Sequence, residues 1–415
     1  MIELPHMKVR TRFAPSPTGY MHIGSLRTAL YAYAFAKSQN GTFILRIEDT
    51  DRNRFVPGST EKIYEQLNLF GIKWDEKYIQ SERVATGIYK NAAEKLLTQD
   101  HAFYCFCKAK TKDEIKEDHN NKVSQLRDFA CRNLTKEEVA QKIASGEKPA
   151  IRLKVPDNET VSFYDFVVKK EISWKSEFVD DAMLLKSDGF PTYQLGVVVD
   201  DADMKMTHII RALEWLPSTP IHILLFKYLG FSLPEIGHLT DILDPDGGKL
   251  SKRKGDVSTE DFIDNGYLPE AILNFIMLVG WAPKDNKEMF TLDEFIDAFN
   301  PNGLQKANAV FHVEKLNWFN QQYIKKLSLD ELAEKIKKFT SVKDPDKYLP
   351  LVRDRLVTLK DFDSLTDYFF TKPQITQSLN KVILDSARMT LEEKFDGKYL
   401  EEKARAFCAE NNIKV

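Results

Sequence analysis

The chain has 415 residues, 43% of them hydrophobic and 29% charged, which is room for about two to four domains with cores of their own. Its net charge of -3 gives a polyanion no general attraction, so any nucleic-acid surface has to be a local patch. No apolar run is long enough for a membrane-spanning helix, residues 1–6 carry neither a signal core nor a transit pattern, and four cysteines make no disulfide framework, so the expected compartment is the cytosol.

Residues 8–14 read as a strand closed by Pro15, Pro17 and Gly19; small residues then open a helix at His22, over residues 23–37. Such a helix start offers unpaired backbone N–H groups, the positive end of the helix dipole and a histidine donor, a combination suited to bound phosphate. Residues 42–47 form a second strand that runs into Glu48-Asp49-Thr50-Asp51-Arg52. A helix over residues 59–70 follows, with Ser59 as N-cap and Gly71 as its stop. This alternation predicts parallel strands whose ligands gather beyond the carboxyl ends, where the clusters around Arg12 and Glu48 both fall.

Residues 101–180 break the pattern with charged helical stretches, a Pro-bounded strand at residues 151–155 and short β-rich pieces. The α/β pattern resumes at residues 182–186, 192–199 and 208–211, and a helix over residues 218–228 has Pro220 in its first turn. Next comes Lys249-Leu250-Ser251-Lys252-Arg253, after Gly247 and Gly248. Two ammonium groups on such a loop can clamp a polyphosphate as its charge moves. Beyond it the chain reads as helix at residues 259–265, 269–279, 292–299 and 313–323, then as amphipathic segments to the end. The expected fold is α/β: a Rossmann-type doubly wound parallel sheet split by an α+β insertion, followed by an all-α C-terminal region.

His22-Ile23-Gly24 and Lys249 to Lys252 are each weak signals alone. In this order, at this separation and with these flanks, they resemble the HIGH and KMSKS motifs of class I aminoacyl-tRNA synthetases. RFAPSPTG, RIEDTDRNR, GFPTYQLGVVVDD, THIIRALEWLPSTPIH and VFHVEKLNWFN further resemble segments of the glutamyl-tRNA synthetases, in the family's order and over essentially the whole chain. The glutaminyl branch has Pro-Glu-Pro-Asn-Gly and Asp-Asp-Thr-Asn-Pro at the first two places.

The resemblance implies an ATP-dependent ligase that makes glutamyl-adenylate and passes glutamate to the terminal adenosine of tRNA, with Mg²⁺ accompanying ATP. Carried over by position, Arg12 and Arg211 pair with the glutamate carboxylates, Glu48 meets the amino group, Tyr193 hydrogen-bonds in the pocket, and Ala14 and Ser16 line it. Ser16, His22, Gly24, Glu214, Lys249 and Lys252 fall to ATP, with His22, Lys249 and Lys252 as the catalytic groups; Trp215 and Arg355 fall to tRNA. The structural alternative makes Arg12 and Glu48 a salt bridge and Tyr193 a core aromatic. Two departures from the family touch this site: Val197 replaces an asparagine, and Leu213 replaces an acid.

The implied organisation is residues 1–100 and 181–256 as the split catalytic domain, 101–180 as an acceptor-binding insertion, 257–322 as a stem-contact region, and 323–415 as an anticodon-binding region shorter than the family's. Cys105, Cys107 and Cys131 match the spacing of zinc ligands in some relatives, but Asn133 holds the fourth place, with His119 an unorthodox substitute. A degenerate knuckle of cytosolic thiols is the other reading of these residues. The partners implied are tRNA for glutamate, with tRNA for glutamine left open, and L-glutamate; no membrane is implied, and a monomer is expected. The rivals are a short paralogue that glutamylates tRNA-queuosine, a simple nucleotidyltransferase and a catalytically dead tRNA-binding protein. Length and the helical tail argue against the first two, and retention of Arg12, His22, Glu48, Lys249 and Lys252 together argues against the third.

Overall fold

The computed structural model describes residues 8–19, 21–107, 129–250, 258–371 and 397–410. Lys252 and His119, both singled out above, lie outside the described residues. Met1–Asp361 forms one compact unit and Phe362–Val415 another. The elements that build the catalytic fold belong to the first.

Strand β1 (Arg10–Phe13) pairs in parallel with β2 (Thr42–Ile47), which pairs in parallel with β3 (Glu76–Ile79). All but the first residue of β2 are buried, the continuous apolar reading of a strand covered on both faces. Helix α1 (Ile23–Ser38) crosses between β1 and β2, and α2 (Ser59–Leu69) returns the chain to β3, followed by α3 (Gln80–Val84) and α4 (Ile88–Thr98). Ser59 is not the N-cap of α2. Gly58 holds that place with φ +81°, and the Ser59 hydroxyl donates instead to Pro17 O at 2.7 Å and Val56 O at 2.6 Å. The serine thus ties the helix to the loop after β1, a contact that local capping rules do not foresee.

The insertion builds an antiparallel sheet from β4 (Ala102–Cys105) and β5 (Ala150–Leu153), with helix α5 (Lys136–Ala144) between them. It then forms a hairpin, β6 (Thr160–Asp165) and β7 (Lys170–Lys175), and β8 (Met183–Leu185) closes the antiparallel sheet against β5. After α6 (Tyr193–Asp203), strand β9 (His208–Ala212), helix α7 (Thr219–Leu229) and strand β10 (Glu235–Leu239) complete a parallel pair. The hairpin does not stand apart, because β6 joins β10 in parallel at Ile236 opposite Asp165. The two parallel halves meet where Thr207 N–H donates to Arg10 O at 3.1 Å and Arg10 N–H to Thr207 Oγ1 at 2.8 Å. The strands therefore lie in the order β3–β2–β1 beside β9–β10–β6–β7, as the doubly wound expectation requires. Leu96, Leu153, Leu195, Val198 and Leu224 fill one core between α4, α6, α7 and the antiparallel sheet.

Short strands β11 (Ile242–Leu243) and β12 (Ala309–Val310) pair across the helical region. Its helices are α8 (Thr259–Asp264), α9 (Pro269–Met277), α10 (Leu292–Ala298), α11 (Val313–Lys326), α12 (Leu329–Ile336) and α13 (Leu349–Val352). Ser258, Thr291 and Ser328 cap three of them reciprocally with Asp261, Glu294 and Glu331. Arg355 sits in a 3₁₀ turn, Arg353–Arg355, directly after α13.

Candidate active site

A cavity of about 510 Å³ opens at the carboxyl ends of β1, β2 and β9. Arg12, Ala14, Ser16, His22, Gly24, Glu48, Tyr193, Arg211, Glu214, Trp215 and Lys249 all line it. The expected pocket and phosphate residues among the described ones thus converge on one space, from both halves of the sheet.

The floor is a buried network of charge. Arg12 donates to both oxygens of Asp201, from Nε at 3.0 Å and Nη2 at 3.2 Å, and to Ile210 O from Nη1 at 3.4 Å. Arg46, wholly buried, donates to Asp201 Oδ1 at 2.7 Å and to Glu48 Oε1 from Nε at 3.1 Å and Nη2 at 2.9 Å. The structural alternative of an Arg12–Glu48 bridge is therefore not what forms, because each residue has a different partner. Burial pushes the Glu48 carboxyl up, against the pull of Arg46 and Arg12. Burial would raise Asp201 too, but there Arg12 and Arg46 together outweigh it and hold the group below the usual aspartate range. Arg46 and Asp201 stand in two of the segments quoted above, RIEDTDRNR and GFPTYQLGVVVDD, but neither was given a role there. Their signal is a charged residue inside an apolar strand, Phe43-Ile44-Leu45-Arg46-Ile47, and an aspartate pair ending Val197-Val198-Val199.

Arg211 is different. It is 5% exposed, and no carboxylate among the described residues forms a salt bridge with it. Its partners are His238 Nε2 at 2.9 Å, His222 Nδ1 at 2.9 Å and Thr219 Oγ1 at 2.7 Å. Desolvation lowers its pKa. Tyr193 is pushed up to about 12 by burial, so it stays a neutral phenol, and its ring packs 4.1 Å from that of Trp215. Val197, at the place of the family's asparagine, is buried in the core formed with Leu195 and Leu224 rather than lining the cavity.

On the phosphate side, His22 caps α1 by accepting the Gly24 N–H on Nδ1 at 3.1 Å, which puts the proton of the neutral ring on Nε2. His22 also bridges to Ser258, and Thr259 N–H donates to Met21 O at 3.0 Å, so the residue after the second motif is stitched to the first. Leu250 N–H donates to Ile242 O at 3.0 Å, anchoring the motif's near end. Lys249 Nζ lies 3.0 Å from Glu214 and 3.1 Å from Asp241; partial burial works against its charge, but these carboxylates raise its pKa on balance. A buried arginine of α1 absent from the sequence reading, Arg27, also lines the cavity and donates to Thr240 O and, at 3.4 Å, to Val279 O.

Away from the cavity, Cys105, Cys107 and Cys131 bring their sulfurs within 4.8 Å of one another. Cys107 and Cys131 are 3.5 Å apart, and Phe106 N–H points at Cys131 Sγ at 3.3 Å. Cys105 and Cys131 are buried among Phe103, Phe106, Phe129 and Leu134.

Residues 8–318 match the family described as "tRNA synthetases class I (E and Q), catalytic domain". Fold and cavity are thus those of a class I aminoacyl-tRNA synthetase. The glutamate–tRNA ligase of Alkaliphilus metalliredigens is 42% identical over 395 residues, covering 87% of this chain and 79% of that one. That of Finegoldia magna is 44% identical over 350 residues, covering 80% and 71%. Among solved structures, a glutamate tRNA ligase from Elizabethkingia meningosepticum in complex with its amino acid superimposes with a TM-score of 0.81 at 34% identity, over 98% of this chain and 91% of that chain. The glutamate-tRNA synthetase of Elizabethkingia anophelis gives 0.83 at 35% identity, over 97% and 90%. The chain belongs to the glutamate–tRNA ligase family. No helix among the described residues is long and apolar enough to cross a membrane.

Proposed function

We propose that the cavity binds L-glutamate and ATP side by side, joins them as glutamyl-adenylate, and passes the glutamyl group to the 3′ end of tRNA. Arg211 is the observation that carries this reading. A buried guanidinium without a carboxylate partner among the described residues is costly unless a ligand supplies the anion, and a glutamate carboxylate fits that demand. Arg12 serves the same substrate with the N–H groups that Asp201 and Ile210 leave over, Glu48 receives the ammonium, and Tyr193 donates its phenolic hydrogen. Ala14 and Ser16 line the same end of β1.

In the first step a carboxylate oxygen of glutamate attacks the α-phosphorus of ATP, and the bond to pyrophosphate breaks. In the second, a hydroxyl of the terminal adenosine attacks the glutamyl carbonyl, loses its proton, and AMP departs with the bonding electrons. His22 Nε2–H stabilises phosphate oxygens that lie against the Gly24 backbone, and Lys249 and Lys252 take up charge as pyrophosphate leaves. Lys249 does so by exchanging Glu214 and Asp241 for the triphosphate. The hard oxygens of Glu214 and Asp241 would hold magnesium, which would supply charge neutralisation on the triphosphate. The thiol cluster supplies only three of the four donors of a structural zinc site, with the amide of Asn133 in the fourth place. We therefore assign the knuckle no stoichiometric zinc. We assign residues 101–180 to the tRNA acceptor end, together with Trp215 at the cavity mouth, 257–322 to its stem and 323–415, including Arg355, to the anticodon.

The test is Arg211→Ala, charged with ATP, glutamate and tRNA. Loss of a charge-assisted carboxylate contact should raise the glutamate KM about tenfold to a hundredfold and leave that for ATP within about twofold. An equal rise in both would make Arg211 a folding residue and remove the main support of this reading.

A further inference from the structure

The side chains that hydrogen-bond Arg211 are all neutral, and a carboxylate stands just behind one of them. His238 is fully buried at β10, and Asp165, equally buried, ends β6 of the insertion. Asp165 Oδ2 lies 2.7 Å from His238 Nδ1. The same carboxylate accepts the backbone N–H of His238 at 3.2 Å, of Val167 at 2.9 Å and of Val168 at 3.0 Å. A carboxylate held by so many donors accepts, so Nδ1 of His238 donates and its Nε2 keeps a lone pair. That lone pair receives the Arg211 Nε–H at 2.9 Å. On the other side, Thr219 Oγ1 and His222 Nδ1 accept from the two terminal nitrogens.

From this we infer that His238, with its tautomer fixed by Asp165, is a positioning residue that aims Arg211 at the substrate carboxylate while leaving the guanidinium charge uncompensated. The inference rests on the glutamate reading above. A carboxylate in the place of His238 would hold Arg211 equally firmly, but it would neutralise the group that must recognise an anion. An apolar residue would leave the charge intact and unaimed. The imidazole supplies an acceptor without a charge, and the Asp165 charge sits one ring away. Desolvation, reinforced by Arg211, keeps His238 low despite the pull of Asp165, in keeping with a neutral ring. The arrangement also makes the amino-acid pocket depend on the insertion, because Asp165 reaches β10 only through the β6–β10 pairing.

The experiment compares two amide side chains at one position. His238→Asn keeps a polar group near Nδ1 for Asp165 and removes the acceptor for Arg211; His238→Gln places a neutral carbonyl near Nε2. Wild type and both variants are assayed for tRNA charging with glutamate and ATP titrated separately, and melting temperatures are recorded. Wild type must first show glutamate-dependent charging; if it does not, the functional reading fails before the variants are compared. Given that activity, His238→Asn should raise the glutamate KM about tenfold, with the ATP KM unchanged, and His238→Gln should recover most of the loss. Equal glutamate KM values in wild type and the Asn variant, or no recovery with Gln, overturn the proposal. If His238→Asn melts early, Thr219→Val replaces it, since that change removes another acceptor from Arg211 and leaves Asp165 untouched. Its glutamate KM should then rise alone; a wild-type value overturns the proposal.

Discussion

At the scale of single residues, the cavity rests on buried charged and polar groups that no single element supplies. Arg12, Glu48, Tyr193 and Arg211 stood in motifs and all reached the cavity. Arg46, Asp201, Asp165 and His238 came from four different elements, and only the fold brings them together. Asp201 is the joint of this network, since it takes both Arg12 and Arg46 at full burial. Asp201→Asn should lower stability at neutral pH by about 3–5 kcal/mol, because buried arginines would lose their counter-charge. The pH dependence has a definite sign. Asp201 titrates lower in the folded than in the unfolded chain, so its contribution is complete above the unfolded value and fades as pH falls through the folded one. Urea midpoints of wild type and variant should therefore stay a constant distance apart from about pH 8 to 5 and converge only below about pH 4. Convergence already near pH 6 would mean that another group carries the difference.

At the scale of elements, helices and strands appeared near where periodicity placed them, while their ends and partners depended on distant contacts. The Ser59 hydroxyl belongs to the Pro17 loop, not to a helix cap. The hairpin β6–β7 extends the main sheet at β10, a pairing of residues 165 and 236 that no local signal encodes. The cysteine knuckle is the element whose purpose is most open to measurement. Its sulfurs do converge, and Phe103, Phe106 and Phe129 pack around Cys105 and Cys131. The side chain of Asn133, at the end of the 3₁₀ turn Ala130–Asn133, is a poor zinc ligand. Elemental analysis of protein purified without chelator should accordingly find well under one zinc per chain. A stoichiometric, chelator-resistant metal would refute this and point to His119 or a water as the fourth ligand.

At the scale of the whole molecule, the problem is how a chain of net charge -3 holds a polyanion. The average field gives no attraction, so affinity has to come from local cations and discrimination from contacts with bases. The doubly wound core could be read from alternation alone, but an RNA surface leaves no periodic trace, which is why Arg355 rested on resemblance. In the structure it is exposed in the turn after α13 and forms no ion pair among the described residues, so its guanidinium face is available. A guanidinium plane can stack on an unstacked base and hydrogen-bond its edge. If Arg355 does so, Arg355→Ala should weaken native tRNA by about tenfold to a hundredfold. It should also erase the penalty for substituting the contacted anticodon base. A phosphate contact behaves differently: its loss weakens every tRNA alike and flattens the dependence on salt. Charging of native tRNA and of tRNAs altered at each anticodon position, by wild type and mutant over a range of salt, separates the two. Unchanged discrimination with a shallower salt slope would make Arg355 a backbone contact, and unchanged discrimination with an unchanged slope would leave it a solvated surface residue.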